Sequence, residues 1–547
     1  MKKKITALVL TGLVLAAFLL LSGFTGGDNV AALLGVDQGK KAARLSGMMY
    51  DQSEMENIMV HRVLSDIVKL DEIRFDNMPL MYDASSSSYF YVWAGADETD
   101  PVVTYSAPEG IWLAFAEGGF SAEAVRANRR LTFLAYTEAQ YCVYQLVFTT
   151  LPVMSLAADS EISDTDTLTK MTLVDGASVT TSLASVHIRG ASSRLYPKSS
   201  YKMELIESRN GQYINNDENL LGLRNDNDWI LYAPYNDPEN MRALLANQLW
   251  MDFGARNNSF EICGGADGRF IELFVNGNYA GLYVLMYPID KKQAELKAND
   301  DPNLSEYVYR SISYVETTEL DFLNAADSNI AGAYELRLPK DAPVSWTKWQ
   351  PLARILRLAK SAPDEEFAAT VFQLAERANM IDFWLFSNAT CAVDNSDKNV
   401  NYIFKRRGYS YVMLVAPQDL DQTWGNIWVE GSPLMTEVQA DILDTAVLAD
   451  VLMRRAITLN VDGVCQEAAQ RWWQLRAGVL SNEAVLSRVD AYEAEVFGSG
   501  AILRDQTRWP QGACAPDAET FKEYVIQRLA FMDNLMERCN NNELTLQ

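Results

Sequence analysis

Polar and apolar positions change period several times along the chain, and each change marks a different kind of element. Residues 29–82 are polar-mixed with weak helical spacing around Met55–Leu70, so a helical and linker segment is expected there. Four serines at Ser85–Ser88 mark a link. Short β-type runs follow: YFYVWAG (89–95), GIWLAFA (110–116), RLTFLAYT (130–137) and YCVYQLVFTTLPV (141–153). Separated by turn-rich pieces, they predict a small antiparallel β-sandwich over 83–180. SLASVHIRG (182–190) reads as a strand ending at Gly190, and YKMELI (201–206) alternates as a strand does. PENMRALLANQLWMDFG (238–254) predicts a helix with Pro238 near its first turn and Gly254 as its stop. Asn276-Gly277 between two apolar runs predicts a hairpin. Residues 345–390 read as helical, 409–416 as a strand, and the chain after about 431 as almost wholly helical. The expected architecture is α+β: a mixed core over 181–430, continued by helices over 431–547.

The N-terminus obeys a different logic. Lys2, Lys3 and Lys4 precede an uncharged, largely apolar run from Ile5 to Phe24, with Ser22, Gly23, Gly26 and Gly27 at its end. Residues 1–28 therefore read as a secretory signal peptide, or as an uncleaved membrane anchor through 5–24. Both predict an exported protein, extracellular or at the cell surface.

Length and charge narrow the partners. A chain of 547 residues predicts several domains. A formal net charge of −25 repels nucleic acid and anionic lipid, so any anionic ligand must be met by local cations or metal ions. The two histidines, His61 and His187, lie in no nucleophile motif. None of the six cysteines forms a CxxC pair, which argues against zinc. Their even number permits disulfides, Cys514 with Cys539 among them, or buried free thiols.

The chemistry concentrates in two acidic loops. DNSDKNVN places Asp394, Asp397, Asn399 and Asn401 after a helix, and PQDLDQTWG places Asp419 and Asp421 beyond a hairpin. A turn, a calcium loop and a phosphoryl-transfer site all use such residues. In phosphoryl transfer, Asp394 would orient the attacking hydroxyl while Asn399 and Asp419 or Asp421 hold a metal against phosphates. Upstream, RGASSRLYPKSSYKMEL (189–205) carries Arg189, Arg194, Lys198 and Lys202 around a Gly-Ala-Ser turn, either a solvated basic loop or a phosphate cradle.

Together with DWILYAPYNDPENMRALLANQL and VNGNYAGLYVLMYPID, these segments resemble the CotH family, the spore-coat-type atypical protein kinases. The resemblance covers roughly 181–430, and the helical tail is similar to those of bacterial members. It implies an atypical protein-kinase-like core, ATP with Mg2+ or Mn2+, and transfer of the γ-phosphate to Ser/Thr of protein substrates. By the same resemblance Asp394 is the catalytic base, and Asn399 with Asp419 or Asp421 binds metal. Arg189 and Ser193 belong to the phosphate-proximal turn. Lys198 matches the Lys-rich strand, with Lys202 as the alternative partner of phosphate. Asp237 and Arg242 open the helix in the αC place. Tyr287 stands where the family usually shows Glu. The competing expectation is an exported surface structural or adhesion protein built on a degenerate kinase-like scaffold.

Overall fold

The computed structural model of the chain describes residues 40–543, apart from 67–69, 71, 96–99, 108–109, 120, 314, 397, 430–431 and 436–447. The N-terminal signal or anchor expected over 1–28 and Asp397 lie outside the described residues. Among the described residues no helix is long and apolar enough to cross a membrane. The chain divides into two compact units. One comprises the described residues of Met1–Leu80, Thr99–Gly118 and Leu131–Gln145; the other comprises those of Met81–Glu98, Gly119–Arg130 and Leu146–Gln547.

The first unit is mainly strand. Lys40–Arg44, Val102–Ser106, Glu72–Phe75 and Met78–Pro79 form one sheet in that order. Met49–Tyr50 lies parallel to Trp112–Ala116, which pairs antiparallel with Phe133–Tyr136. The rings of Phe75 and Phe115 meet edge to face at 6.1 Å between the two sheets. The helical segment expected over 29–82 shrinks to one helix, Gln52–Val60, among the described residues. Asp51 and Glu54 close its N-terminus as a capping box. Only Met55 and Ile58 are buried from this helix, packed with Ala114 and Leu134. An apolar stripe that narrow supports no longer helix, and the flanking residues pair as strands instead.

Eight strands of the second unit form one sheet: β1 (Val153–Ala157), β2 (Thr167–Val174), β3 (Val179–Arg189), β4 (Ser200–Arg209), β5 (Gln212–Asn215), β6 (Asp228–Tyr232), β7 (Gly268–Val275) and β8 (Asn278–Met286). They pair in the order β3-β2-β1-β7-β8-β6-β4-β5, and β3 pairs again with β4, so seven strands close into a barrel. The expected boundary at 180/181 falls inside this barrel, because β1 and β2 pair into it although their sequence belongs to the run read as a sandwich. Alternation sets the faces: Met203 and Leu205 of β4 are buried in the barrel with Trp229 and Leu231, while Lys202 and Glu204 point outward. The hairpin at Asn276-Gly277 forms with both residues at positive φ, 48° and 73°, as a two-residue turn between right-twisted strands requires.

Helix α1 (Arg242–Phe253) begins four residues after Pro238, because the Asp237 carboxylate accepts the Arg242 amide at 2.7 Å and Asn240 adopts φ 59°. A second sheet contains β9 (Tyr307–Ser311), β10 (Tyr334–Leu338), β11 (Val400–Arg407) and β12 (Ser410–Pro417), in the order β10-β9-β11-β12 with Ile330–Ala331 at its edge. Between β10 and β11 run α2 (Gln350–Ser361), α3 (Asp364–Leu374) and α4 (Arg377–Thr390). The tail supplies α5 (Leu448–Thr458), α6 (Val464–Arg476), α7 (Asn482–Val496), α8 (Ala501–Arg508) and α9 (Glu519–Asn540). Their apolar faces merge with α1–α4 and one face of the second sheet into a single core around Trp250, Trp349, Trp384 and Trp472. None of the six cysteines, all among the described residues, is in a disulfide; Cys514 is exposed and Cys539 is buried, its thiol on the Cys465 carbonyl at 3.5 Å, so the pairing of Cys514 with Cys539 is absent.

Candidate active site

Helix α4 ends because Cys391 takes a left-handed conformation, φ 52°. The Arg528 Nε of α9 donates to the Asn388 carbonyl at 2.9 Å and covers the end of the helix. The next turn, Val393–Ser396, carries Asp394, and Asn399 Nδ2 donates to its Oδ2 at 2.7 Å. Lys398 Nζ lies 3.5 Å from the other oxygen. The second acidic loop is tied to the first through its backbone. Gln418 N donates to Asn399 O at 2.9 Å, and the buried Asn395 amide donates to Asn399 O at 3.0 Å and Gln418 O at 2.7 Å. The hairpin β11–β12 pairs Val400 with Pro417, which returns the chain to its starting point.

The loops therefore bring Asp394, Asn399, Asp419 and Asp421 together. Asp421 reports this electrostatically: burial pushes its carboxyl well above the carboxylate range, and the charges of Asp419 and Asp394 push it further. Asn236 Nδ2 reaches its Oδ2 at 3.4 Å. Asp419 is exposed, at φ 59°. The donor set is oxygen throughout, which suits a hard divalent cation. Among the described residues no three carboxylates already form a metal cage.

The opposite wall is the outward face of the barrel. Arg189 ends β3 opposite Ser200, and its guanidinium lies within charge range of Asp419 and Arg310. Tyr232 is directed toward Asp421, Asp237 and Asp419, whose charges add to burial in pushing its hydroxyl well above its ordinary range. That hydroxyl is buried and has no hydrogen-bond partner among the described residues. After Arg189 the chain turns at Gly190, φ 111°, where a Cβ would stand 2.1 Å from Ser193 Oγ; only glycine fits. Ser193 lies in the short turn Ser192–Leu195.

The two lysines are not brought to the acidic loops. Lys198 is fully buried: its Nζ lies 2.6 Å from Asp505 Oδ1 of α8 and donates to Leu282 O at 2.7 Å. Lys202 is half-buried on the outward face and already bound by Glu204 and, at 3.1 Å, by Asp228; those carboxylates raise its pKa against the effect of burial. Asp237 and Arg242 form a buried ion pair at 2.5 Å, joined by Glu239, at the start of α1. Tyr287 is packed in the barrel core under the Arg224 guanidinium, 4.4 Å from its ring centre.

The family comparison matches residues 186–532 to the model described as CotH kinase protein. The chain belongs to the CotH kinase protein family. No curated protein matches it. The CotH span runs from β3 to α9, so it contains both acidic loops, Arg189 and the α8–α9 helices.

Three CotH-span residues at the site were missed by the sequence reading. Asn395 looked like one more turn residue, and its clamp depends on where Gln418 arrives. Tyr232 sat in DWILYAPYNDPENMRALLANQL, where only Asp237 and Arg242 were singled out. Arg310 sat in a stretch with no motif, and nothing local announces that Ser311, its neighbour, accepts the Asn399 amide at 3.0 Å.

Proposed function

We propose that this chain is a CotH-type protein kinase that transfers the γ-phosphate of ATP to Ser/Thr of a protein substrate. The observation that carries the reading is the convergence of Asp394, Asn399, Asp419 and Asp421 with an excess of negative charge that raises Asp421. The barrel and the helical part are read as the two lobes of an atypical kinase-like core. Asn399 and Asp421 would hold Mg2+ or Mn2+, with Asp419 at the outer position. The bound ion supplies neutralisation of phosphate charge.

Asp394 is the base. Asn399 fixes one carboxylate oxygen, and Lys398 sits near the other, so the carboxylate is oriented before substrate arrives. An acceptor hydroxyl placed against it loses its proton to Asp394 as phosphate transfer proceeds. The orphan Tyr232 hydroxyl is a donor already desolvated at the same place. Transfer of radiolabelled phosphate from ATP to a generic protein, or to the chain itself, tests the reading. Asp394→Asn should lower the rate by about 10²- to 10⁴-fold. No transfer with either metal, or no loss in the variant, refutes it.

A second reading, a surface adhesion scaffold without catalysis, draws on Lys198 being spent on Asp505 and on Tyr287 in the place of Glu. It expects no thermal shift with ATP and Mn2+. Ligand at about 100 times its Kd should add roughly 2.7 kcal/mol if the site binds nucleotide.

A further inference from the structure

With Lys198 and Lys202 both committed to carboxylates, the candidate cleft needs another source of positive charge for a nucleotide's phosphates. We infer that Arg189, Arg310 and Arg337 form the site of the terminal phosphate of a nucleoside triphosphate; this rests on the kinase reading above and names residues it does not use. The register fixes their place. Arg310 on β9 faces Glu335 on β10 and Asn401 on β11, and side chains directly paired across strands share a face. Arg337 is the extra residue of a bulge at which the β9–β10 register shifts, and its Nη1 lies 3.8 Å from Glu335 Oε2. The opposite face carries Tyr309, Leu336 and Tyr402 into the core. Ser311, one residue beyond Arg310, is bound to the Asn399 amide at 3.0 Å and, through its hydroxyl, to the Val400 amide at 3.1 Å. The Arg310 end of β9 is therefore joined directly to the loop of the proposed metal ligand.

The three guanidiniums are under-compensated. Arg310 Nη2 and Arg337 Nη1 share one carboxylate oxygen, Glu335 Oε2, at 2.8 and 3.8 Å. Arg310 Nε is buried without a hydrogen-bond partner among the described residues. Arg189 and Arg310 are both close enough to Arg337 for their charge to act on it. Three like charges held together in a protein of net charge −25 call for an anion. A planar, forked guanidinium matches phosphate oxygens in pairs, and the acidic loops supply the metal side of the same group. An anion placed there is bracketed by cations on both sides, as the spread charge of a transferring phosphoryl group requires.

The test is nucleotide binding by calorimetry with Mn2+, comparing ATP, ADP and AMP on the full chain and on the Arg310→Gln/Arg337→Gln double variant. Wild type should prefer ATP over ADP by about tenfold or more, and the variant should lose that preference while ADP binds nearly as before. Equal losses for ATP and ADP, or an unchanged preference, overturn the proposal and leave the kinase reading standing. Wild type that binds none of the nucleotides overturns both. If the double variant does not melt cooperatively, Glu335→Gln carries the test. Freeing both arginines from their shared carboxylate should tighten ATP several-fold and leave ADP unchanged, and unchanged ATP affinity refutes the site.

Discussion

Lys198 separates a structural from a ligand-binding role sharply. Its ammonium has no exposed surface and lies 2.6 Å from Asp505, whose side chain is 11% exposed and also accepts the Leu282 amide at 2.8 Å. Asp505→Leu strands a buried cation and orphans a strand amide; breaking a buried pair in this way costs about 3–5 kcal/mol. Lys198→Met removes the ion that is costlier to bury. It leaves Asp505 near solvent with its Leu282 bond, so about 1–3 kcal/mol is expected. The double change Lys198→Met/Asp505→Leu replaces the pair by apolar volume and should cost less than the two single effects added. Urea unfolding followed by tryptophan fluorescence reads all three. Nucleotide binding then decides the role: Lys198→Met should bind ATP within about threefold of wild type, well under the factor of ten that 1.4 kcal/mol represents. A folded Lys198→Met protein that loses ATP tenfold or more would show that Lys198 leaves Asp505 for phosphate, and the reasoning from its burial would fail.

Asp421 has a folded-state pKa raised above its unfolded value, so its ionisation destabilises the metal-free protein above the ordinary carboxylate range. Asp421→Asn should therefore raise the melting temperature near neutral pH. The gain should shrink as pH falls toward about 4, where the unfolded chain also takes up the proton, and saturating Mn2+ should reverse it. Gly190→Ala places a Cβ 2.1 Å from Ser193 Oγ at φ 111° and should cost about 1–3 kcal/mol by urea unfolding; Ser193→Ala in the same chain should recover only the contact part, because the backbone strain stays. Asn395→Ala removes one bond within the first acidic loop and one that joins it to the second, at about 1 kcal/mol each, and should lower phosphotransfer more than it lowers stability if the loops must be held in register.

How much of this was legible depended on the range of the interaction. The Asn276-Gly277 hairpin, strand β4 with its alternation, and the Asp394–Asn399 turn are specified by residues a few positions apart, and periodicity finds them. The barrel is not local. β1 pairs in parallel with β7 more than a hundred residues later, so its run reads as part of whatever precedes it. The carboxylate partners of Lys198 and Lys202 lay beyond the same limit. A basic stretch reads as free charge until the chain supplies Asp505 from α8 and Asp228 from β6. Arg310 and Arg337 were silent for the converse reason: neither lies in a motif, and only the pairing of β9 with β10 and β11 sets them beside one another and beside Asn399.

The tail explains why the family span does not stop at the second acidic loop. Helix α8 packs on the outward side of β7 and β8: Arg504 binds the buried Glu272 through Nε and Nη2 at 2.8 Å, Asp505 holds Lys198, Arg508 Nε donates to Tyr279 O at 3.0 Å and Trp509 Nε1 to Ala280 O at 2.8 Å. The other tail helices brace the opposite wall. Arg471 of α6 binds Asp382 of α4 at 2.8 Å, and Arg528 of α9 covers the end of α4 just before Asp394. The barrel wall that carries Arg189 and the helix that delivers Asp394 are thus held by the same run of chain. A phosphate bound between them needs both walls at fixed spacing, since an error of 1 Å in such a site can cost about 10²-fold.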